Sequence, residues 1–299
     1  MQTIEGIRKV TPGLDIWVVD NGSTDQTVKM AESTGVFVLR EPQQGKGFAL
    51  RRGFTSIPDG YGAYFMVDGD DTYGVTELTR AIKLIEIDGY DVVIGRREAP
   101  ALPPTDRKIE YRFGHSLGNK FLTSVFTKLF GIQISDTLSG WRLMSSGYVK
   151  SFSGGNSGFE IEAELNAHCY TINAAVTEIP VSYTGRLIDS HSKLNTYKDG
   201  FLILRRNLRL YRSERPLLAY TLLSIPWFLI SGILVIPILL TYQETQLVPR
   251  FPSLIVAVGT FIVACNLWIA GMILEKTRQI RTAMARELYS RYSRSFGNS

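Results

Sequence analysis

Asp68 and Asp70 stand two apart in Tyr64-Phe-Met-Val-Asp-Gly-Asp-Asp-Thr72, where an apolar run ends abruptly in three carboxylates with Gly69 among them. At the carboxyl end of a strand, that spacing can hold a hard divalent cation against a diphosphate. Mg²⁺ and Mn²⁺ prefer oxygen ligands and usually share them with substrate phosphates. A solvated acidic turn would look the same in isolation, so the rest of the chain must decide. A second carboxylate, Asp20, ends the apolar run Leu14-Asp-Ile-Trp-Val-Val19 and opens Asp20-Asn-Gly-Ser-Thr-Asp25. At a strand end it can accept a hydrogen bond from a base N–H. Ser23 or Thr24 can cap a following helix, and Asp25 suits its positive end. Gly45-Lys46-Gly47 is a basic loop that could face a phosphate, or a plain turn.

The elements around these residues alternate. Leu14–Val19, Gly35–Leu39, Ala63–Val67 and Asp91–Ile94 read as strands; Thr24–Thr34, Phe48–Ile57 and Val75–Ile87 read as helices. Alternation of this kind predicts an α/β domain with right-handed crossovers and a mainly parallel sheet. Ligands of such sheets gather at the carboxyl ends of the strands, where Asp20 and Asp68 fall. Residues 106–130 carry an apolar stripe (Ile109, Phe113, Leu117, Phe121, Val125, Leu129) that predicts a core-facing helix. Residues 158–172 read as helical and Ala175–Tyr183 as extended, and Tyr197–Tyr211 reads as a basic amphipathic helix along a membrane surface.

The last third is different. Leu217–Tyr242 contains no charged residue, and neither does Phe251–Leu274. As a helix the first run would be roughly 39 Å long, enough to cross a hydrocarbon core of about 30 Å. Gln243–Arg250 is short enough to make the two a hairpin. Arg205, Arg206, Arg209, Arg212 and Arg215 precede the first run. Lys276, Arg278, Arg281, Arg286, Arg291 and Arg294 follow the second, and only Arg250 lies between. The positive-inside rule therefore places the N-terminal domain and the C-terminal tail in the cytoplasm, with the hairpin in the cell (inner) membrane. The net charge of +5 is accounted for by these clusters and needs no nucleic-acid partner. Cys169 and Cys265 suggest neither a disulfide nor a zinc site. The chain reads as four parts: 1–185 a catalytic-type domain, 186–216 a juxtamembrane basic segment, 217–274 two spans and 275–299 a basic tail.

Six segments, VVDNGSTDQT, QGKGFALRRGF, YFMVDGDDTY, SDTLSGWRLMS, SGFEIEAEL and SKLNTYKDG, occur in order. Together they resemble the family 2 glycosyltransferases with a GT-A fold. Within these they are most similar to the polyprenyl-phosphate type, such as dolichol-phosphate mannose synthase and the bactoprenol glucosyltransferases. The resemblance covers about residues 2–216. It implies that Asp20 contacts the nucleotide base, that Lys46 lies near the diphosphate, and that Asp68 and Asp70 form the metal-binding pair. Asp136 would be the acidic residue near the acceptor, often assigned as catalytic base, with Asp70 also counted catalytic. Arg186 and Lys193, and more weakly Arg112, would grip the lipid phosphate. Glu160 and Glu162 fall in a family segment, where capping and salt-bridging a helix start is an equal alternative.

The implied reaction is metal-dependent (Mg²⁺ or Mn²⁺), inverting transfer of one sugar from a nucleotide sugar to a polyprenyl phosphate. UDP-glucose is the first expectation for the donor; GDP-mannose or UDP-N-acetylglucosamine come next. A homo-oligomer is an option by resemblance only. The phosphate nucleophile is largely ionised at neutral pH, so Asp136 is expected to orient groups more than to take a proton.

Two rival readings remain. A processive polysaccharide synthase would carry a Gln-x-x-Arg-Trp segment and more spans. A non-catalytic or impaired transferase could scaffold a flippase or a partner transferase. The second draws on one departure from the family. The chain opens on Met1-Gln-Thr-Ile-Glu-Gly-Ile7, which looks like the helix after the usual first strand. That strand is expected to be missing, through a start placed too late or a truncated form. Trp141 stands where the family usually has Phe or Tyr.

Overall fold

A computed structural model describes residues 2–98, 107–108, 134–154, 161–184, 186–187, 212–248 and 250–293. They form two compact units, Met1–Thr196 with Met284–Ser299, and Tyr197–Ala283.

In the first unit the elements follow the alternation read from the sequence: α1 (Gln2–Val10), β1 (Trp17–Asp20), α2 (Thr27–Ser33), β2 (Phe37–Arg40), α3 (Lys46–Ser56), β3 (Ala63–Met66), α4 (Leu78–Glu86) and β4 (Val92–Glu98). After them come β5 (Arg107–Lys108), β6 (Arg142–Ser145), α5 (Ser146–Ser151), α6 (Ile161–Ile172), β7 (Val176–Ser182) and β8 (Arg186–Leu187). The apolar stripe at 109–129 and the basic segment 197–211 lie outside the described residues.

The sheet is mixed where the alternation alone predicts a mainly parallel one. β1 pairs with β2 and β4 with β7 in parallel, but β6 runs antiparallel between β3 and β4. β6 follows directly on Ser139-Gly-Trp141, and its four residues Arg142-Leu-Met-Ser145 give no sign of direction. Its insertion makes Trp141 and Leu143 part of the core with Val93, Ile179, Val181, Leu78 and Tyr73. Ile7 of α1 joins the same cluster.

Trp141 is fully buried, edge-on to Phe65 with ring centroids 4.9 Å apart, and its indole N–H donates to the Gly74 carbonyl at 3.1 Å. A phenylalanine would fill most of that volume and strand the carbonyl. Trp141→Phe is therefore expected to cost about 1–3 kcal/mol, readable as a lower midpoint of thermal unfolding.

The β1–β2 pair is separate from the β3–β6–β4–β7 sheet. Among the described residues, no strand pairs with the second edge of β1 or of β3. The two edges belong to the same region: the Tyr61 hydroxyl, just before β3, donates to Asp15, just before β1, at 2.6 Å.

The second unit holds α7 (Pro216–Thr245) and most of α8 (Phe251–Ser293), helices of 30 and 43 residues that are long and apolar enough to cross a membrane. The helix continues through residues 275–293, which the sequence reading treats as a tail. Pro226 and Pro237 are accommodated inside α7.

The burial pattern is the reverse of a water-soluble hairpin. Ser224 and Ser231 are buried, as are Ala257, Ala264 and Gly271, while Leu229, Ile233, Ile255 and Ile273 are more than half exposed. Ser224, Ser231 and Ile238 recur every seven residues on α7, and Ala257, Ala264 and Gly271 do so on α8. A seven-residue repeat keeps one seam between two helices, and small residues let backbones approach in lipid. The Ser231 hydroxyl donates to the Ala257 carbonyl at 2.9 Å, and Phe228 meets Phe261 edge-on at 5.7 Å.

A side chain added at Gly271 would press on Tyr220 and the Leu217 backbone. Gly271→Leu is expected to wedge the hairpin apart. A cysteine pair at Ser231 and Ala257 would report it, cross-linking in the native chain and much less in the variant.

Candidate active site

Asp20 ends β1, Asp68 follows the end of β3 and Lys46 opens α3, so these three lie where strand ends and helix starts meet. Asp20 is the last residue of β1. It closes its own turn by accepting the Ser23 N–H at 3.1 Å, and the hydrogen bonds from Ser23 hold its pKa below the ordinary carboxylate value.

Its neighbour Asn21 does more structural work. The side-chain amide donates to the carbonyls of Glu41 (3.1 Å) and Gln43 (2.6 Å) and its oxygen accepts the Gly45 N–H at 2.6 Å. Asn21 therefore ties the loop before α3 to the end of β1. Gly45 sits at φ +139°, a conformation that side chains avoid. That turn delivers Lys46 as the first residue of α3.

Lys46 is the hub. Its Nζ lies 2.7 Å from Asp68 Oδ1 and 2.7 Å from Glu162 Oε1, so one ammonium is shared by two carboxylates. Burial alone would depress its pKa, but Glu162 and Asp68 outweigh burial and hold it above the ordinary lysine value. Asp68 is one-third exposed and Glu162 almost fully buried. The second Glu162 oxygen, Oε2, is buried with no hydrogen-bond partner.

Asp68 also rests on Gly140: a Cβ there would overlap its carboxylate. Gly140→Ala is expected to push Asp68 aside. Transfer activity should fall at least tenfold while the unfolding midpoint moves little, checked by assaying rate and stability on one preparation.

Asp70 points into its own turn, where Oδ1 accepts the Thr72 hydroxyl at 2.6 Å and the Thr72 N–H at 3.3 Å. Asp71 follows at φ +59°.

The loop 136–140 connects this cluster to a second one. Asp136 is buried, and both of its oxygens face the Arg97 guanidinium: Nε to Oδ2 and Nη2 to Oδ1, each at 2.7 Å. The Asp136 N–H donates to Glu178 at 3.0 Å. Burial would lower the Arg97 pKa, but the Asp136 carboxylate raises it beyond its ordinary value. Tyr183 lies under the guanidinium, 5.5 Å from ring centroid to carbon.

Beneath the loop, the fully buried Arg142 donates to Ser139 O (3.1 Å), Thr137 O (3.3 Å) and Asn166 Oδ1 (2.7 Å). Asn166 donates in turn to Thr137 O at 2.8 Å, and the Gly140 N–H donates to the Tyr73 hydroxyl at 3.0 Å. The loop is thus fixed from three sides.

The structure brings Lys46 and Asp68 together and keeps Asp70, Asp20 and Asp136 in separate hydrogen-bond sets. Only the backbone of Arg186 is described, in β8; Arg112, Glu160 and Lys193 lie outside the described residues. Arg97, Asn21, Gly140 and Arg142 escape the sequence reading. A cue for Arg97 exists: it is the penultimate residue of β4, near the carboxyl end of a strand as Asp20 and Asp68 are. His168 is no catalytic candidate. Packed against Tyr148 and Phe152 and bonded to the Ser151 hydroxyl at 2.9 Å, it is pushed by burial down to about 4 and stays neutral at physiological pH.

Residues 2–151 match the glycosyl transferase family 2 domain. The chain belongs to glycosyl transferase family 2. Among its relatives is glycosyltransferase AglJ of Haloferax volcanii, 30% identical over 205 residues, 68% of this chain and 65% of AglJ. A dolichyl-phosphate hexose transferase of the same organism is 28% identical over 213 residues, 70% of this chain and 86% of the relative. The fold is similar to that of mannosyl-3-phosphoglycerate synthase from Rubrobacter xylanophilus, with a TM-score of 0.53 at 18% identity over 71% of this chain and 68% of that one. The GT-A fold and the glycosyltransferase assignment expected from the motifs are borne out. The cluster around Lys46 and Asp68 is therefore the candidate active site of a family 2 glycosyltransferase.

Proposed function

We propose that this chain transfers a single hexose from a nucleoside-diphosphate sugar to a polyprenyl phosphate held in the membrane, on the cytoplasmic face of the cell membrane. One observation carries the reading: a family 2 domain with a cation-and-carboxylate cluster at its strand ends shares a chain with a helical hairpin that buries serine and alanine and exposes leucine and isoleucine. Such a hairpin suits lipid as its surroundings, where the acceptor also resides. The dolichyl-phosphate hexose transferase relative supports the same class of acceptor. UDP-glucose is the first donor proposed.

Asp68 and Asp70 are proposed to hold Mg²⁺ or Mn²⁺. The residues fit: the donors are two carboxylates spaced two apart, and Asp68 is one-third exposed. Such a sparse set suits a cation that keeps water and takes the rest of its ligands from phosphates. When bound, the cation would neutralise charge on the departing diphosphate.

Lys46, at the positive end of α3, is proposed to stabilise the same diphosphate. Asp20 is assigned to the base. Arg186, Lys193 and Arg112 are assigned to the acceptor phosphate, whose oxygen attacks the anomeric carbon from the side opposite the leaving group and inverts it. With both oxygens on Arg97, Asp136 is assigned to holding that guanidinium toward the acceptor rather than to taking a proton.

The acceptor is tested by offering purified full-length protein radiolabelled donor with undecaprenyl phosphate in one arm and 3-phosphoglycerate in the other. Label in the organic phase of the first arm only is the expected result. Label on the soluble acceptor alone would overturn the lipid assignment.

A further inference from the structure

In the structure Lys46 occupies an oxygen that the proposed chemistry needs elsewhere. Asp68 Oδ1 is 2.7 Å from the ammonium, and a divalent cation at Asp68 would be placed against that positive charge. Repulsion between the two positive charges, together with the cation's demand on the same carboxylate, favours a shift of the ammonium from Asp68 toward Glu162 as the cation arrives. Leaving a largely buried lysine without a counter-ion during that exchange is unfavourable. Glu162 removes the difficulty. It sits in the first turn of α6, its side chain 4% exposed, with Oε1 already 2.7 Å from Lys46 Nζ and Oε2 buried beside it without a partner. A lysine that gives up Asp68 can take Oε2 as its replacement acceptor, satisfying an otherwise orphaned atom in the same movement.

We propose that Glu162 is a positioning residue that acts through Lys46: it is the standing counter-ion that lets the ammonium release Asp68 to a divalent cation when a nucleoside diphosphate enters. This rests on the reading of Asp68 as a cation ligand. An ion pair of purely structural purpose would need neither the sharing of one ammonium nor the unpaired second oxygen. The division of labour is definite. Asp68 exchanges partners, Lys46 moves between them, and Glu162 stays.

The test is equilibrium dialysis of radiolabelled UDP, with GDP in a parallel arm, against the detergent-solubilised full chain over a range of Mn²⁺ concentrations. Wild type is compared with Glu162→Gln, Glu162→Asp, Lys46→Met and the Lys46→Met/Glu162→Gln double variant. Glu162→Gln should raise the Mn²⁺ concentration for half-maximal nucleotide binding at least tenfold, and Glu162→Asp should restore most of the difference. In the Lys46→Met background, Glu162→Gln should change that concentration less than twofold, because the residue acts only through the lysine. The double variant carries no unpaired lysine, so this comparison holds even if Glu162→Gln alone folds poorly.

An unchanged Mn²⁺ requirement in Glu162→Gln would overturn the proposal, and so would an effect of the same size without Lys46. Failure of the wild type to bind either nucleotide in a Mn²⁺-dependent way would refute the reading of Asp68 itself, a separate outcome from failure of Glu162 alone.

Discussion

Asp68→Asn is expected to lower the transfer rate by about 10³-fold or more, because it removes a charge from both partnerships at once: the cation on the diphosphate and the contact with Lys46. The fold should survive. Asp68 is one-third exposed and its carboxylate lies on the Gly140 backbone, so the isosteric amide keeps the packing. An ion pair with that degree of exposure contributes no more than about 1 kcal/mol to stability. Lys46 retains Glu162. The unfolding midpoint should therefore move by little while turnover collapses. A variant with near wild-type rate would mean that Asp68 does not touch the diphosphate or its cation. Equal loss of rate and of stability would make the Lys46 bridge a structural tie.

Arg97→Met has the opposite signature. It leaves Asp136 with its side chain only 8% exposed and both oxygens without the guanidinium. Removing one partner of a buried pair costs about 3–5 kcal/mol, a large share of the roughly 5–15 kcal/mol that holds a domain folded. The catalytic domain should unfold at markedly lower temperature, and transfer should be lost with it. Arg97→Met/Asp136→Leu removes both charges and should recover most of the stability, since no unpaired carboxylate remains. If that double variant is stable and inactive, the pair is needed for reaction as well as for packing. If it is stable and active, neither residue acts on the acceptor. Measuring thermal unfolding and transfer for the two single variants and the double variant gives a complete cycle.

Much of this architecture is written in the local pattern. The apolar runs ending in Asp20 and Asp68 fix where strands stop, and a parallel arrangement then puts those ends on one rim. The resemblance assigns Lys46 to the diphosphate and Asp68 to its metal without pairing the two side chains; in the structure their Nζ and Oδ1 lie 2.7 Å apart. What the pattern omits is contact between segments far apart in the chain. Arg97 and Asp136 are 39 positions apart, and Lys46 and Glu162 farther still. No periodicity links such pairs. The antiparallel direction of β6 is hidden for the same reason, because the four residues Arg142-Leu-Met-Ser145 carry no mark of strand direction.

Gly140 looks like one more turn glycine until the Asp68 carboxylate is found against it. In the helical hairpin, uncharged length is legible at once, but the seven-residue seam of Ser224, Ser231 and Ile238 against Ala257, Ala264 and Gly271 becomes meaningful only when the two helices are seen side by side.

The most direct measurement is transfer from a panel of radiolabelled nucleotide sugars to undecaprenyl phosphate, with Mg²⁺ or Mn²⁺, beside a metal-free control and Asp68→Asn. The account predicts that one donor labels the lipid, that labelling requires the divalent cation, and that Asp68→Asn abolishes it. Labelling that persists without the cation, or in Asp68→Asn, would contradict the assignment of the site. An absence of lipid labelling from every donor would contradict the proposed reaction.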